Sequence, residues 1–298
     1  MKYGAAQEAL AKRLESSYEP GEAVAIAALV LEAITGVDRN ALRFHANDEL
    51  SATQQSALIQ HSERLAGDEP VQYVLNEAHF YGMKLYVDGS VLIPRPETEE
   101  LADWVVREVK SLQPQLAQKE ATDADRTDTL KILDVGTGSG CIALALKKAL
   151  PLAEVWGCDV SDAALNVARR NGSSLNIRVD FQGVDFLDEA QQRLLPSVDI
   201  LVSNPPYIPL RDKETMHNNV VRYEPHGALF VPDNDALVFY RAIAVFARKR
   251  LHAGGRIYLE IHEGLGKEVT DLFRAEGYSS VELRKDLQGK DRFVKAEA

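Results

Sequence analysis

Asn204, Pro205, Pro206 and Tyr207 follow an apolar run, Val198-Asp199-Ile200-Leu201-Val202, with Ser203 between. The run reads as a buried parallel strand, and open α/β sheets keep their ligands where such strands end. Consecutive prolines hold φ near about −65° and contribute no N–H, so the carbonyls around them lack nearby backbone donors. The residue before a proline is pushed toward the extended region, which restricts Asn204 as well. The turn is therefore stiff, and it displays one side-chain amide, free carbonyls and an aromatic ring. That array suits a planar group carrying an NH2, either an amide or an amino-purine. The plain alternative is a proline-rich loop that only terminates a strand, and a glycine loop upstream weighs against it.

That loop is Asp134-Val135-Gly136-Thr137-Gly138-Ser139-Gly140, between an apolar strand and a helix expected from about Cys141. Glycines permit positive φ and let backbone approach a ligand at a helix N-terminus. The dinucleotide fingerprint G-x-G-x-x-G is not met: its last position falls on Cys141 counted from Gly136 and on Ala143 counted from Gly138. The loop fits a cofactor with no pyrophosphate to cradle. Asp159 closes the next strand, about twenty residues on, where a carboxylate can accept from both hydroxyls of a ribose. Asp185-Phe186 follows the third strand and offers an acceptor and an aromatic to an adenine; Phe186 as a core residue is the alternative. Together these residues describe an adenosine-type cofactor along the strand ends, with its reactive group at Asn204.

The elements that must hold these residues follow from the patterning. From Lys131 onward strands and helices alternate: Ile132–Val135, Glu154–Asp159, Arg178–Phe181, Val198–Val202 and Arg256–Glu260, with β segments near Val281–Leu283 and Arg292–Val294. Such alternation implies a parallel sheet with helices on both faces. Residues 1–75 read as a separate all-helical domain. Pro20 opens and Gly36 closes the apolar helix through Ala23–Leu31, Ser51 and Gln54 form a capping box, and Pro70 starts a short turn through Val74. The module reads as a partner- or substrate-docking unit or as a structural cap. Residues 76–96 switch to period two, with strands at His79–Tyr81 and Lys84–Val87 and a hairpin turn expected at Asp88-Gly89. Pro94 and Pro96 stiffen the connector, and Pro96 opens the helix through Leu101, Trp104, Val105 and Val109 of a domain spanning 97–298. The connector is either a rigid linker or a device that turns Arg95, Glu97 and Glu99 toward the site across the domain boundary. Residues 113–129 lack an apolar period and read as an exposed, mobile connection.

Composition narrows the function classes. The chain has 298 residues, 45% of them hydrophobic, and a net charge of −11 from 34 basic and 45 acidic residues. A chain so acidic is a poor candidate for broad phosphate-backbone binding, so no direct nucleic-acid partner is expected. Ala23–Leu31 is too short to span a bilayer and has no signal-peptide flank. Cys141 and Cys158 lack metal-ligand spacing and read as free thiols in a reducing compartment. No metal and no membrane association are expected, and the setting reads as cytoplasmic.

The motifs Asp134–Gly140, Asp159, Asp185-Phe186 and Asn204–Tyr207 resemble those of S-adenosylmethionine-dependent amino-methyltransferases. Two further stretches, Leu92–Glu99 and Arg222-Tyr223-Glu224-Pro225 leading to Ala228–Phe230, are similar to protein-(glutamine-N5) methyltransferases acting on peptide chain release factors. The helical module and Pro70–Tyr73 match as well, so the resemblance covers nearly the whole chain. It implies a seven-stranded Rossmann-like class I methyltransferase sheet behind a small all-α N-terminal domain, joined by a β-hairpin. It further implies S-adenosyl-L-methionine as cofactor and the glutamine of a Gly-Gly-Gln loop as substrate. Gly136, Thr137, Gly138, Ser139, Gly140, Asp159, Asp185, Phe186 and Asn204 would then hold the cofactor, Asn204–Tyr207 the substrate, with Asn204, Pro205 and Tyr207 catalytic. Asn76 departs from the family's glycine, and Asn tolerates the left-handed conformation. Two rivals come from other classes. An adenine-N6 methyltransferase predicts a basic groove and an added target-recognition domain, and a non-catalytic cofactor sensor has no need of the Asn204–Tyr207 array.

Overall fold

A computed structural model describes residues 1–120 and 129–298. The chain divides into two compact units, one of residues 1–77 with 216–223, the other of 78–215 with 224–298.

The first unit is helical: α1 Tyr3–Leu14, α2 Pro20–Thr35, α3 Ala52–Ala66 and α4 Val71–Leu75. Ala23, Ile26, Ala27, Val30 and Leu31 recur at helical spacing on α2 and are all buried, facing Leu10 and Leu14 of α1. The Ser51–Gln54 capping box forms as its sequence requires, and Gly36 ends α2 in the left-handed region at φ 75°. Asn76 is also left-handed, at φ 53°, where it caps α4 and is no part of a hairpin.

The second unit opens with a hairpin, β1 Ala78–Phe80 and β2 Met83–Leu85. Its turn is Tyr81-Gly82, with φ of 48° and 66°, and not Asp88-Gly89. Positive φ at both central positions is what a two-residue hairpin loop demands, and Phe80 pairs directly with Met83. Asp88 instead turns the chain locally, its carboxylate accepting from the Ser90 N–H at 2.9 Å. Helix α5 runs from Pro96 to Glu120, so the helix consumes the first part of the connection expected at 113–129. Residues 121–128 of that connection lie outside the described residues.

There follow β3 Lys131–Val135, α6 Cys141–Ala149, β4 Glu154–Asp159, α7 Asp162–Leu175, β5 Asp180–Gly183, α8 Glu189–Gln192 and β6 Val198–Ser203. A two-residue parallel pair, β7 Ile208–Pro209 with β8 Phe230–Val231, brackets the loop that contains the short helix α9 Asn218–Tyr223. Then come α10 Val238–Arg250, β9 Leu251–Glu260, α11 Gly266–Ala275, β10 Ser280–Lys285 and β11 Asp291–Glu297. The seven-stranded sheet has the order β10-β11-β9-β6-β3-β4-β5. Six strands run in one direction and β11 alone runs the other way, antiparallel to β9 and to β10, so the sheet is mixed and not wholly parallel. Period two sorts its side chains into two layers. Ile132, Val202 and Tyr258 join the core under α5–α7, while Leu133, Leu201 and Ile257 join the core under α10 and α11. The chain order reverses between β3 and β6, which opens a crevice at their C-terminal ends. No helix among the described residues is long and apolar enough to cross a membrane.

Candidate active site

The glycine loop leaves β3 at that reversal. Gly136, Gly138 and Gly140 have φ of 72°, 53° and 81°, which side chains rarely adopt. The Gly136 and Thr137 N–H groups both donate to the Cys158 carbonyl, and the Gly138 N–H donates to Asp159 Oδ2, each at 2.9 Å. The loop is thus tied to the end of β4. A Cβ at Gly136 or Gly138 would meet nothing within 4 Å, so the loop borders open space. Gly157 is different: a Cβ there would lie 2.7 Å from Thr137 Oγ1 and 2.9 Å from the Phe181 ring.

Below the loop sits Asp134, fully buried on β3. Its Oδ2 accepts from Thr137 Oγ1 at 2.6 Å and from the Ala143 N–H at 3.2 Å, while Oδ1 has no partner among the described residues. Burial pushes this carboxyl up to about 7. Ser139 is buried, and its carbonyl accepts from the Asn171 amide at 2.9 Å. Asp159 accepts the Ser161 N–H on Oδ1 and the Gly138 N–H on Oδ2. Burial raises its pKa, and Ser161 is the helix cap of α7. Asp185 accepts from the Leu187 N–H at 2.9 Å. The Phe186 ring lies in the second core layer, edge-on to Phe246 with centroids 5.1 Å apart, as its structural alternative required.

Across the crevice, β6 delivers Asn204. Its Nδ2 donates to Thr98 Oγ1 at 3.0 Å, and Thr98 Oγ1 donates to Glu260 Oε2 at 2.7 Å. The Tyr207 hydroxyl donates a long bond of 3.4 Å to Glu260 Oε1, and its ring packs edge-on to His262 at 5.9 Å. Pro205 is buried and Pro206 half-buried. Glu260 is only 2% exposed at the end of β9, and burial pushes its carboxyl up to about 7. Burial and the neighbouring Glu260 raise the Tyr207 phenol far above its usual range.

The connector's charges act on the site without bonding Asn204: Glu97 raises the Glu260 carboxyl and Arg95 lowers the Tyr207 phenol. Arg95 is ion-paired with Glu224, a buried carboxylate that also accepts from the Ile93 N–H at 3.3 Å. It is Thr98, and not Arg95, Glu97 or Glu99, that reaches Asn204, and all of these residues belong to the second unit. Thr98 and Glu260 are the residues that sequence reasoning missed. A carboxylate set within the apolar run Tyr258-Leu259-Glu260-Ile261 was the available signal for Glu260.

S-adenosylmethionine fits these residues. The face above Gly136 and Gly138 is open, and the buried Asp134 oxygen that has no partner among the described residues suits a polar or cationic ligand. A seven-stranded sheet of this order, with its ligand loop at the reversal, is the class I methyltransferase fold, and the chain is an S-adenosylmethionine-dependent enzyme of that class. Residues 118–225 match the family described as the methyltransferase small domain, and residues 5–75 match the PrmC N-terminal domain. Release factor glutamine methyltransferase of Flavobacterium psychrophilum is 39% identical over 95% of this chain and 94% of its own. That of Bacteroides thetaiotaomicron is 39% identical over 95% of each chain. Among solved structures, the hMettl16 catalytic domain in complex with MAT2A 3'UTR hairpin 6 shares the fold, with TM-score 0.52 and 15% identity over 83% of this chain and 81% of that one. The chain belongs to the release factor glutamine methyltransferase family.

Proposed function

We propose that the chain methylates the side-chain amide nitrogen, N5, of the glutamine in the Gly-Gly-Gln loop of peptide chain release factors. S-adenosylmethionine supplies an electrophilic methyl on a sulfonium. Gly136–Gly140, Asp159 and Asp185 would hold it, with Phe186 behind them. An amide nitrogen is a poor nucleophile because its lone pair is delocalised into the carbonyl, so the protein's task is orientation. The Asn204 side-chain oxygen and the Pro205 carbonyl accept the two amide hydrogens, and Tyr207 packs on the amide plane. The nitrogen face is thereby aimed at the methyl, and transfer becomes effectively unimolecular. The bound cofactor would supply the methyl as an electrophile, its sulfur keeping the bonding pair, to the nitrogen that Asn204 and Pro205 orient. The nitrogen turns cationic, and both acceptors then hold its hydrogens more strongly, so stabilisation grows toward the transition state. The surplus proton leaves to solvent after transfer.

The observation that carries this reading is the Asn204 Nδ2 bond to Thr98, which uses the donor end of the amide and leaves the oxygen for a ligand. The net charge of −11 supports a protein substrate over a nucleic acid. The test is methyl transfer from labelled S-adenosylmethionine to release factor, to its Gln→Ala loop variant and to duplex DNA. Label on the wild-type factor alone is expected; label on DNA, or equal label on the loop variant, would overturn the assignment.

A further inference from the structure

We propose that Glu260, acting through the Thr98 hydroxyl, is a positioning residue that sets which end of the Asn204 amide faces the acceptor. The inference deepens the function proposed above and takes its meaning for catalysis from it.

The geometry has a fixed polarity. An ionised carboxylate only accepts hydrogen bonds, and a threonine hydroxyl carries a single hydrogen. That hydrogen is committed to Glu260 Oε2 at 2.7 Å, so toward Asn204 the hydroxyl can only accept. The group 3.0 Å away must then be the NH2 end of the amide. With the donor end held, the oxygen end points to a ligand, which is what binding an NH2 requires. A carboxylate is thus read out as an amide orientation through one intervening hydroxyl. Protonating Glu260 removes that logic. A carboxylic acid can donate to the Thr98 oxygen, the hydroxyl hydrogen is freed to meet Asn204 Oδ1, and the amide can turn over. A reversed Asn204 would oppose a donor to the donors of the glutamine amide.

The environment places this choice near neutrality. Desolvation dominates and pushes Glu260 up to about 7, opposed by the Thr98 hydrogen bond. The charged and titratable groups facing it are Arg292 on β11, which lowers the value, Glu97 on α5, which raises it, and the Tyr207 hydroxyl, which lowers it, with Cys141 on α6 and Tyr240 on α10 also against it. Tyr240 on α10 donates to the Glu260 backbone carbonyl at 3.2 Å and holds the strand end in place. Asp134 lies in the same range, so the Glu260 contribution is the part that a Glu260 variant removes.

The experiment has two arms on the full chain. In the first, turnover with release factor is measured for wild type, Thr98→Val, Thr98→Ser and Glu260→Gln. Thr98→Val keeps the shape and loses the hydroxyl; kcat should fall at least about tenfold, with KM within about twofold, less than the hundredfold or more expected for losing Asn204 itself. Thr98→Ser keeps the hydroxyl and should recover to within about threefold of wild type. The wild-type rate should decline as pH falls through about 7, and Glu260→Gln should lose that limb. The second arm needs no substrate. In protein labelled with 15N-asparagine, the Asn204 Nδ2 protons are assigned by their loss in Asn204→Ala. Their shifts should move with pH in wild type, stop moving in Glu260→Gln, change in Thr98→Val and stay near wild type in Thr98→Ser. Should the release factor remain unlabelled by wild type, the proposed function fails while the spectra still decide the positioning. Asn204 resonances indifferent to both Thr98→Val and Glu260→Gln, or full turnover by Thr98→Val, would overturn it.

Discussion

The two ends of the crevice are built on the same pair of groups, a threonine hydroxyl donating to a buried carboxylate. At the cofactor end Thr137 donates to Asp134 at 2.6 Å; at the acceptor end Thr98 donates to Glu260 at 2.7 Å. Both carboxyls are pushed up to about 7 by burial. What differs is range and exposure of function. The first pair spans three residues of one loop, and the second spans 162 residues, joining the start of α5 to the end of β9. Asp134 keeps one oxygen without a partner among the described residues, whereas both Glu260 oxygens are engaged, by Thr98 and Tyr207. On the proposed reading, the cofactor end offers its carboxylate to a ligand, while the acceptor end uses its carboxylate to arrange the groups that a ligand meets.

The largest separation of the two ends should come from Asn204→Ala. Removing one oriented acceptor from a site where charge develops costs about 3–4 kcal/mol, or more than a hundredfold in kcat. S-adenosylmethionine binding, measured by calorimetry on the same variant, should change by less than tenfold, because the glycine loop makes no bond to Asn204 among those described. Turnover near the wild-type rate would remove Asn204 from the mechanism. A rate loss matched by an equal loss of cofactor affinity would join the two ends into one site.

Gly157→Ala should strike the other end. Its Cβ would sit 2.7 Å from Thr137 Oγ1, the atom that anchors Asp134, and 2.9 Å from the Phe181 ring. Overpacking of this kind costs about 1–3 kcal/mol of stability. Because the displaced atom is the Thr137 hydroxyl, cofactor affinity should fall with it, while kcat at saturating cofactor stays within about threefold. Urea unfolding and equilibrium binding check the two halves. Unchanged affinity would mean that the Thr137–Asp134 pair serves packing alone.

The same difference in range explains what the sequence could show. The glycine loop, Asp159 and the Ser51–Gln54 cap are legible because their partners lie close by in sequence or at the end of the adjacent strand. Apolar runs alternating with helical stretches located the strands of the sheet, and the central strands β3, β6 and β9 bury side chains in both core layers. Asp88-Gly89 misled, because Asp-Gly favours several turns, and Tyr81-Gly82 satisfies the left-handed pair with a tyrosine that propensity disfavours. Thr98 lay within the stretch Leu92–Glu99 and Glu260 ended the strand Arg256–Glu260, and neither was singled out for the site. Nothing local joins two residues 162 positions apart, and only the folded sheet gives their contact its chemistry. The antiparallel β10–β11 edge was equally hidden, since a strand's direction is set by its connection and not by its own pattern.

The last and smallest effect is in stability against pH, and there the two carboxyls act alike. Asp134 moves from 3.8 to about 7, and Glu260 from 4.5 to about 7, so in the folded chain each holds its proton to higher pH than when unfolded. Between roughly pH 5 and 7 the native state binds more protons than the unfolded one, and stability falls as pH rises. Each contribution is fully present below the unfolded value, near about 4, and lost as pH passes about 7. The Tm of the cofactor-free protein should therefore drop by a few degrees between pH 5.5 and 8. Glu260→Gln should flatten part of that drop and be the more stable protein at pH 8. A Tm that climbs across this window in wild type would show both carboxyls ionised throughout. The direction opposes the one expected for turnover, because the ionised Glu260 that orients Asn204 is also the form whose burial the fold resists. Stability and acceptor orientation then draw on one proton in opposite senses, and a variant that relieves the first should lose the second.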